Sequence, residues 1–290
     1  MAAMASICIG RSFRLRRNIA KERRRFRRGQ SLSVGPVIAY GHPRTATRSI
    51  EGAIAMVSGV EAFHAHVLHP NHFTTKNNTF VSPLCSGLCP EDQPSQWCIA
   101  EAIKLNEQVT LVSAVRDPVA VNVSWFFLGL QRWLKSPRPV DLNSIPFDTL
   151  KDLFRTRFPH NGILSWFTEE WSAVTGIELD ALDGVRRDGY ATARFGNGHA
   201  CVFSAHLPDQ RKSEILGSVL GLKGDAITFP RLNQGSNRPS SEIYDRLKIL
   251  VASDADYLDR MYASAYSRRF FSPNQIENFR ESWRAIADMA

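Results

Sequence analysis

Two rhythms of apolar positions alternate along this chain. Residues 37–40 (Val-Ile-Ala-Tyr) and 112–115 (Val-Ser-Ala-Val) are short apolar runs with the length of buried strands. Each passes directly into a polar loop and then into a stretch with helical spacing, reaching Val57 in the first case and Phe127 in the second. Between them, residues 61–68 alternate as Glu-Ala-Phe-His-Ala-His-Val-Leu, which predicts a strand with His64 and His66 on one face. Residues 161–172 predict an aromatic-bearing helix whose Trp166, Phe167 and Trp171 belong to the core. Residues 190–194 and 200–204 flank Gly196-Asn197-Gly198, a strong hairpin signal. A helix over 208–220, a turn-rich loop over 232–239 and three helices starting near Ser240, Asp254 and Pro273 complete the pattern. Strands alternating with helices predict an α/β fold: a parallel sheet flanked by helices, with a mainly helical C-terminal third.

The loops after the two apolar runs carry the candidate chemistry. The second run enters Arg116-Asp117-Pro118 and then a helix that places Ser124 eight residues beyond the arginine. Pro118 suits a first helical turn, where no amide donor is needed. An arginine at a strand end and a hydroxyl on the next helix can close on one anion. An isolated Arg-Asp-Pro is ordinarily just a helix start with a salt-bridged arginine, but a second anion-binding element upstream changes its meaning. Gly41-His42-Pro43-Arg44-Thr45-Ala46-Thr47-Arg48-Ser49 joins the first strand to its helix. Helix N-terminal amides, the hydroxyls of Thr45, Thr47 and Ser49 and the Arg44 guanidinium form a nest for a phosphate-like oxyanion. No Gly-Lys-Ser/Thr follows at Walker A spacing, which disfavours an ATPase or kinase.

Two anion sites on strands of one sheet suit a nucleotide with phosphates at both ends of its ribose. Pro43-Arg44-Thr45-Ala46-Thr47-Arg48-Ser49 resembles the 5′-phosphosulfate loop of sulfotransferases, and Arg116-Asp117-Pro118 with Ser124 resembles their 3′-phosphate site. The family commonly has glycine where this chain has Ala46; if φ must be positive there, alanine costs roughly 1 kcal/mol or more. Phe63-His64-Ala65-His66-Val67 with Phe126-Phe127 is similar to the uronyl 2-O-sulfotransferases. That resemblance implies His66 as the base that deprotonates an acceptor hydroxyl, with His64 in reserve. From Val37 to Trp283 the order of segments, including Ser165-Trp166-Phe167 and Tyr262 through Ser272, also looks like the capsular polysaccharide synthesis proteins, a sulfotransferase-like group. The implied fold is a P-loop-like parallel sheet. The implied co-substrate is 3′-phosphoadenosine 5′-phosphosulfate, contacted by Arg44, Thr45, Ala46, Thr47, Arg48, Ser49, Arg116, Ser124 and the late-loop Arg238. The implied acceptor is a saccharide or glycolipid hydroxyl. A histidine of ordinary pKa serves as base without a large shift. The two rings can instead satisfy local hydrogen bonds, and no third ligand at a supporting spacing accompanies them as a zinc site, so no metal is expected.

Composition adds a boundary. The 290 residues carry a net charge of +8, but residues 1–30 hold ten Lys/Arg against Glu22 alone, so the remainder carries −1. The expectation is a basic N-terminal leader or helix over 1–30 and one sulfotransferase-like domain over 31–290. The leader reads as a solvated or loosely membrane-associated helix in contact with anionic lipid rather than as a specific nucleic-acid binder, and it also resembles a transit peptide. An odd count of five cysteines favours free thiols, although Cys85 and Cys89 are close enough for a local disulfide, and a reducing, cytoplasmic setting. Two competing functions remain. Asp254-Ala255-Asp256 offers a metal-holding pair for a capsule-type glycosyltransferase, although helical periodicity makes Asp254 a better helix cap. A non-catalytic nucleotide- or glycan-binding protein would keep the anion sites without transfer.

Overall fold

A computed structural model describes residues 20–29, 34–69, 94–134, 145–222, 227–230 and 241–288. Helix α1 (20–29) precedes β1 (Val37–Tyr40), α2 (Thr47–Ala55), β2 (Ala62–Ala65), α3 (Pro94–Lys104), β3 (Thr110–Val115), α4 (Pro118–Leu128), α5 (Leu130–Trp133) and α6 (Phe147–Thr156). Then α7 (Gly162–Trp166) widens into a π-helical segment (Phe167–Ser172) and ends as α8 (Ala173–Thr175). A 3₁₀ turn (Leu179–Leu182), α9 (Gly184–Asp188), β4 (Tyr190–Phe195), β5 (Gly198–Ser204) and α10 (Asp209–Val219) follow. Helices α11 (Ser241–Ala252), α12 (Ala255–Tyr262), α13 (Ala265–Phe270) and α14 (Pro273–Asp288) close the chain.

The five strands form one sheet in the order β2-β1-β3-β5-β4. Strands β2, β1, β3 and β5 are parallel, with Val37 opposite Ala62 and Thr110, and Thr110 opposite His199; only β4 runs antiparallel, through the hairpin. Alternation sorts the side chains by face. Val37, Ala39, Val112, Ala114, Cys201 and Phe203 pack under α2 and α10 through Ile50, Ile54, Ile215 and Leu216. Ile38, Tyr40, Leu111, Val115 and Val202 point the other way, onto α3, α4, the π-helical segment and the C-terminal helices. Buried on both faces, the parallel strands read as continuous apolar runs, as such strands do.

The chain leaves β1 by α2 to reach β2 on one side and returns through α3 to β3 on the other. The carboxyl ends of β1 and β3 therefore flank the point where the strand order reverses, the crevice where open α/β sheets bind ligands. Both candidate loops start there.

Three expectations need correction. β2 ends at Ala65, so His66 lies just beyond the strand. The C-terminal region has four helices, the additional one being α13, started by Ser264, whose hydroxyl accepts from the Ser267 amide. The part of the basic segment that is described is docked on the domain. Phe26 is buried against Phe63 with ring centroids 5.5 Å apart, Arg25 lies over the Phe63 ring, and Glu61 accepts from Arg25 at 2.8 Å and from Arg28 at 3.1 Å. Arg25 also donates to the Ala62 carbonyl on the edge strand. No described helix is long and apolar enough to cross a membrane. Cys201 is a buried thiol, while Cys8, Cys85 and Cys89 lie outside the described residues.

Candidate functional site

The loop after β1 is built by two left-handed residues, Arg44 at φ 74° and Ala46 at φ 66°. Ala46 thus occupies the strained conformation that a glycine would fill without penalty. Thr45 folds back on the loop: its amide and hydroxyl donate to the His42 carbonyl at 3.2 and 2.7 Å. Gly41 is required for space, because a Cβ there would stand 2.9 Å from Thr45 Oγ1 and from Thr47 Cγ2. The first bond within α2 runs from the Ile50 amide to the Ala46 carbonyl, and no side chain caps the helix. The amides of Thr47, Arg48 and Ser49 therefore stand ahead of the helical ladder, with the positive end of the helix dipole behind them.

Arg44 and Arg116 connect the two loops. Arg44 Nε donates to Ser124 Oγ on α4 at 2.8 Å, and Arg116 Nη1 donates to the Arg44 carbonyl at 3.2 Å. Arg116 and Ser124, expected to close together on one anion, are linked here through Arg44, which lies between them. Ser124 is 5% exposed, so its hydroxyl sits deep in the crevice. Arg48 behaves differently: its side chain is exposed and pairs with Glu51 at 2.8 Å, so it offers the crevice its amide and a more distant charge.

The Arg116-Asp117 turn is held by residues far away in sequence. Asp117 caps α4 by accepting from the Val119 amide at 2.9 Å, and also accepts from Tyr262 Oη and Trp283 Nε1, each at 3.0 Å. The Asp117 amide donates to His206 Nε2 at 3.1 Å. Tyr266 Oη donates to the Arg116 carbonyl at 3.0 Å and accepts from its amide at 3.2 Å. Burial raises the Asp117 pKa, against the opposing hydrogen bonds from Trp283, Val119 and Tyr262.

The histidines are fixed from several sides. His66 Nδ1 lies 2.6 Å from the Gly41 carbonyl, which can only accept, so Nδ1 carries the proton and Nε2 the lone pair. Gln96 Oε1 accepts from the His66 and Val67 amides at 3.2 and 3.1 Å, and Trp166 Nε1 donates to the His66 carbonyl at 3.0 Å. Further along, the fully buried Glu170 accepts from Tyr40 Oη at 2.6 Å and from the amides of Leu68 and His69. The His64 ring meets the His66 ring edge to face at 4.3 Å, and its Nε2 lies 3.1 Å from Thr47 Oγ1.

These rings depart from the ordinary pKa expected of a base. Burial lowers His66 to about 4; its bond to Gly41 opposes the shift, and the charges of Arg48 and Arg44 add to it. Burial, His66 and Arg48 lower His64 to about 2. Both are neutral at pH 7, and His66 presents an unprotonated Nε2.

The structure thus places Arg44, Thr45, Ala46, Thr47 and Ser49 in the loop and first helical turn after β1 and brings His64, His66, Arg116 and Ser124 into contact with that segment, while Arg238 lies outside the described residues. The supports Gln96, Glu170, His206 and Tyr266 were not legible as such. Only Glu170, a carboxylate on an aromatic helical stripe, carried a visible signal. Asp254 caps α12 by accepting from the Tyr257 amide at 3.1 Å and pairs with Arg155 at 3.1 Å, so this half of the Asp-x-Asp pair is already engaged. Among the described residues no group of three or more His, Cys, Asp or Glu side chains is placed to hold a metal. No family model, curated protein or solved structure matches the chain.

Proposed function

We propose that this protein is a sulfotransferase that moves a sulfuryl group from 3′-phosphoadenosine 5′-phosphosulfate to a hydroxyl of a saccharide or glycolipid. The observation that carries the reading is the position of Arg44, in the loop two residues ahead of the α2 N-cap Ala46, where its side chain donates to Ser124 and its carbonyl accepts from Arg116. A donor with phosphates at both ends of its ribose matches that continuous anion-binding surface. The 5′-phosphosulfate takes the amides of Thr47, Arg48 and Ser49 with the Thr47 hydroxyl, while Thr45, bonded to the His42 carbonyl, shapes the loop, and the 3′-phosphate takes Arg116 and Ser124.

In the transfer, the acceptor oxygen attacks sulfur, the bond from sulfur to the 5′-phosphate oxygen breaks, and the acceptor proton moves to His66 Nε2. 3′-Phosphoadenosine 5′-phosphate leaves. Charge builds on its 5′-phosphate as the bond breaks, and the preorganised amides and Arg44 stabilise it there. Arg44 keeps its proton throughout, so it acts as a hydrogen-bond donor and not as an acid. The anionic donor offsets the arginine field on His66 and raises its proton affinity when the site is filled.

Calorimetric titration with 3′-phosphoadenosine 5′-phosphate in EDTA tests this. Metal-independent binding by the wild type that is lost in Arg116→Ala is the expected result and opens an acceptor screen with His66→Ala as control. Absence of binding in the wild type rejects the sulfotransferase reading. Binding without turnover of the sulfated donor across that screen would favour a nucleotide-binding protein without transfer.

A further inference from the structure

A cavity of about 420 Å³ lies on the far side of Tyr266 from the candidate site. Its floor is apolar, made by Leu164, Phe167, Leu179 and Phe270. Its rim is cationic, with Arg186 from the last turn of α9 and Arg268 and Arg269 from the last turn of α13. The three guanidiniums are not equivalent. Arg269 pairs with both Asp180 and Asp183, so its charge is already answered. Arg186 donates Nη1 to the Arg268 carbonyl at 3.4 Å, and Arg268 donates Nη1 to the Ala263 carbonyl. Neither forms an ion pair with a carboxylate among the described residues. Each spends one of five N–H donors on a backbone carbonyl and keeps its charge for another partner.

We propose that this cleft binds a small organic oxyanion carried on a ring or short apolar body. Arg186 and Arg268 both line the cleft, and an oxyanion that reaches both accepts from two guanidinium forks. The apolar wall does nothing for a bare inorganic ion, whereas a ring-sized body covers the half-buried Leu164 and Leu179 and excludes water around the charge. A cavity of this volume falls within the range of small-ligand sites. The shared chemistry is a phosphate or carboxylate on a ring; whether the ring is aromatic or a sugar is left to the probes. The cleft uses none of the side chains that form the anion nest, so the proposal does not depend on the sulfotransferase reading.

Phenyl phosphate, cyclohexyl phosphate, glucose 6-phosphate, benzoate and inorganic phosphate titrated calorimetrically into the full chain test the site. At least one ring-bearing anion should bind ten or more times tighter than inorganic phosphate. That affinity should fall about tenfold or more in Arg186→Gln/Arg268→Gln. It should also fall in Thr168→Trp, which fills the rim without changing charge, and persist in Arg116→Ala, which disables the nest. Positions 168, 186 and 268 are exposed and Arg116 is half-buried, and thermal melts matching the wild type verify folding of each variant. Equal affinity in the wild type and the double glutamine variant overturns the proposal, as does no preference for any ring-bearing anion over inorganic phosphate, or loss of binding in Arg116→Ala.

Discussion

Arg44 and Ser124, eighty residues apart, meet through a 2.8 Å hydrogen bond that ties the loop after β1 to the helix after β3. The bond is charge-assisted and partly buried, in the class worth about 1.5–3 kcal/mol. It also pulls a backbone with φ 74° at Arg44 into place, so the two loops are set relative to each other before any ligand arrives.

That contact should be visible in affinity for 3′-phosphoadenosine 5′-phosphate. Ser124→Ala is expected to weaken binding by about tenfold or more, and Arg44→Ala further. A double-mutant cycle measured by calorimetry should show a coupling of about 1 kcal/mol or more. Additive losses would mean that the two side chains act on the ligand independently.

Ala46 carries a different signature. A non-glycine residue at φ 66° costs roughly 1–2 kcal/mol, while glycine adds unfolded-state entropy of about 0.4–1 kcal/mol. Ala46→Gly should therefore stabilise the fold by about 0.5–1 kcal/mol, read as a higher guanidinium midpoint. A lower midpoint would contradict the left-handed conformation at this residue.

The histidines set a pH dependence of stability. Burial pushes His42 to about 3, His64 to about 2, and His66, His160 and His206 each to about 4, below their ordinary 6.5. As the pH falls, the unfolded chain takes up these protons first. The stability they contribute is thus full above about pH 6.5 and is lost as the pH falls toward 4. Each histidine adds a slope of up to about 1.4 kcal/mol per pH unit. Denaturant unfolding at pH 7.5, 6 and 5 should show losses of several kcal/mol, concentrated below 6.5. A flat profile would show that the rings protonate within the fold.

The degree to which all this could be read in the sequence follows the range of each interaction. β1, β3 and the hairpin around Gly196-Asn197 are local patterns, and the apolar runs and turn residues declared them. The position of β3 on the opposite side of β1 from β2 leaves no trace in alternation, because either order buries the same faces. Helix α13 is six residues long with two aromatics, too short to show a helical period, although Ser264 was an available cap signal. The π-helical segment shares its apolar stripe with an ordinary helix, so Glu170 stood out as a carboxylate on that stripe while the widening of the helix there was silent. The histidine pKa values depend on burial and on Arg44 and Arg48 nearby, which strand spacing alone does not convey.

The least legible relationship, Asp117 with Trp283, also gives the sharpest test. Asp117 Oδ1 accepts from the Val119 amide and Tyr262, while Oδ2 accepts from Trp283 Nε1, and the carboxylate is buried. In Asp117→Asn the remaining oxygen keeps the first two bonds, but the new amide nitrogen faces the indole N–H, donor against donor. That mismatch should cost about 1–3 kcal/mol in denaturant unfolding. Trp283→Phe alone leaves the second carboxylate oxygen without its partner and should cost a similar amount in addition to lost ring packing. Combined, the two changes remove the donor–donor clash and lose the one hydrogen bond once rather than twice, so the double variant should be at least about 1 kcal/mol more stable than the sum of the single losses predicts, even with the new amide left unpartnered. Additivity within about 0.5 kcal/mol would refute the contact, and with it the argument that α14 holds the Arg116 turn in position.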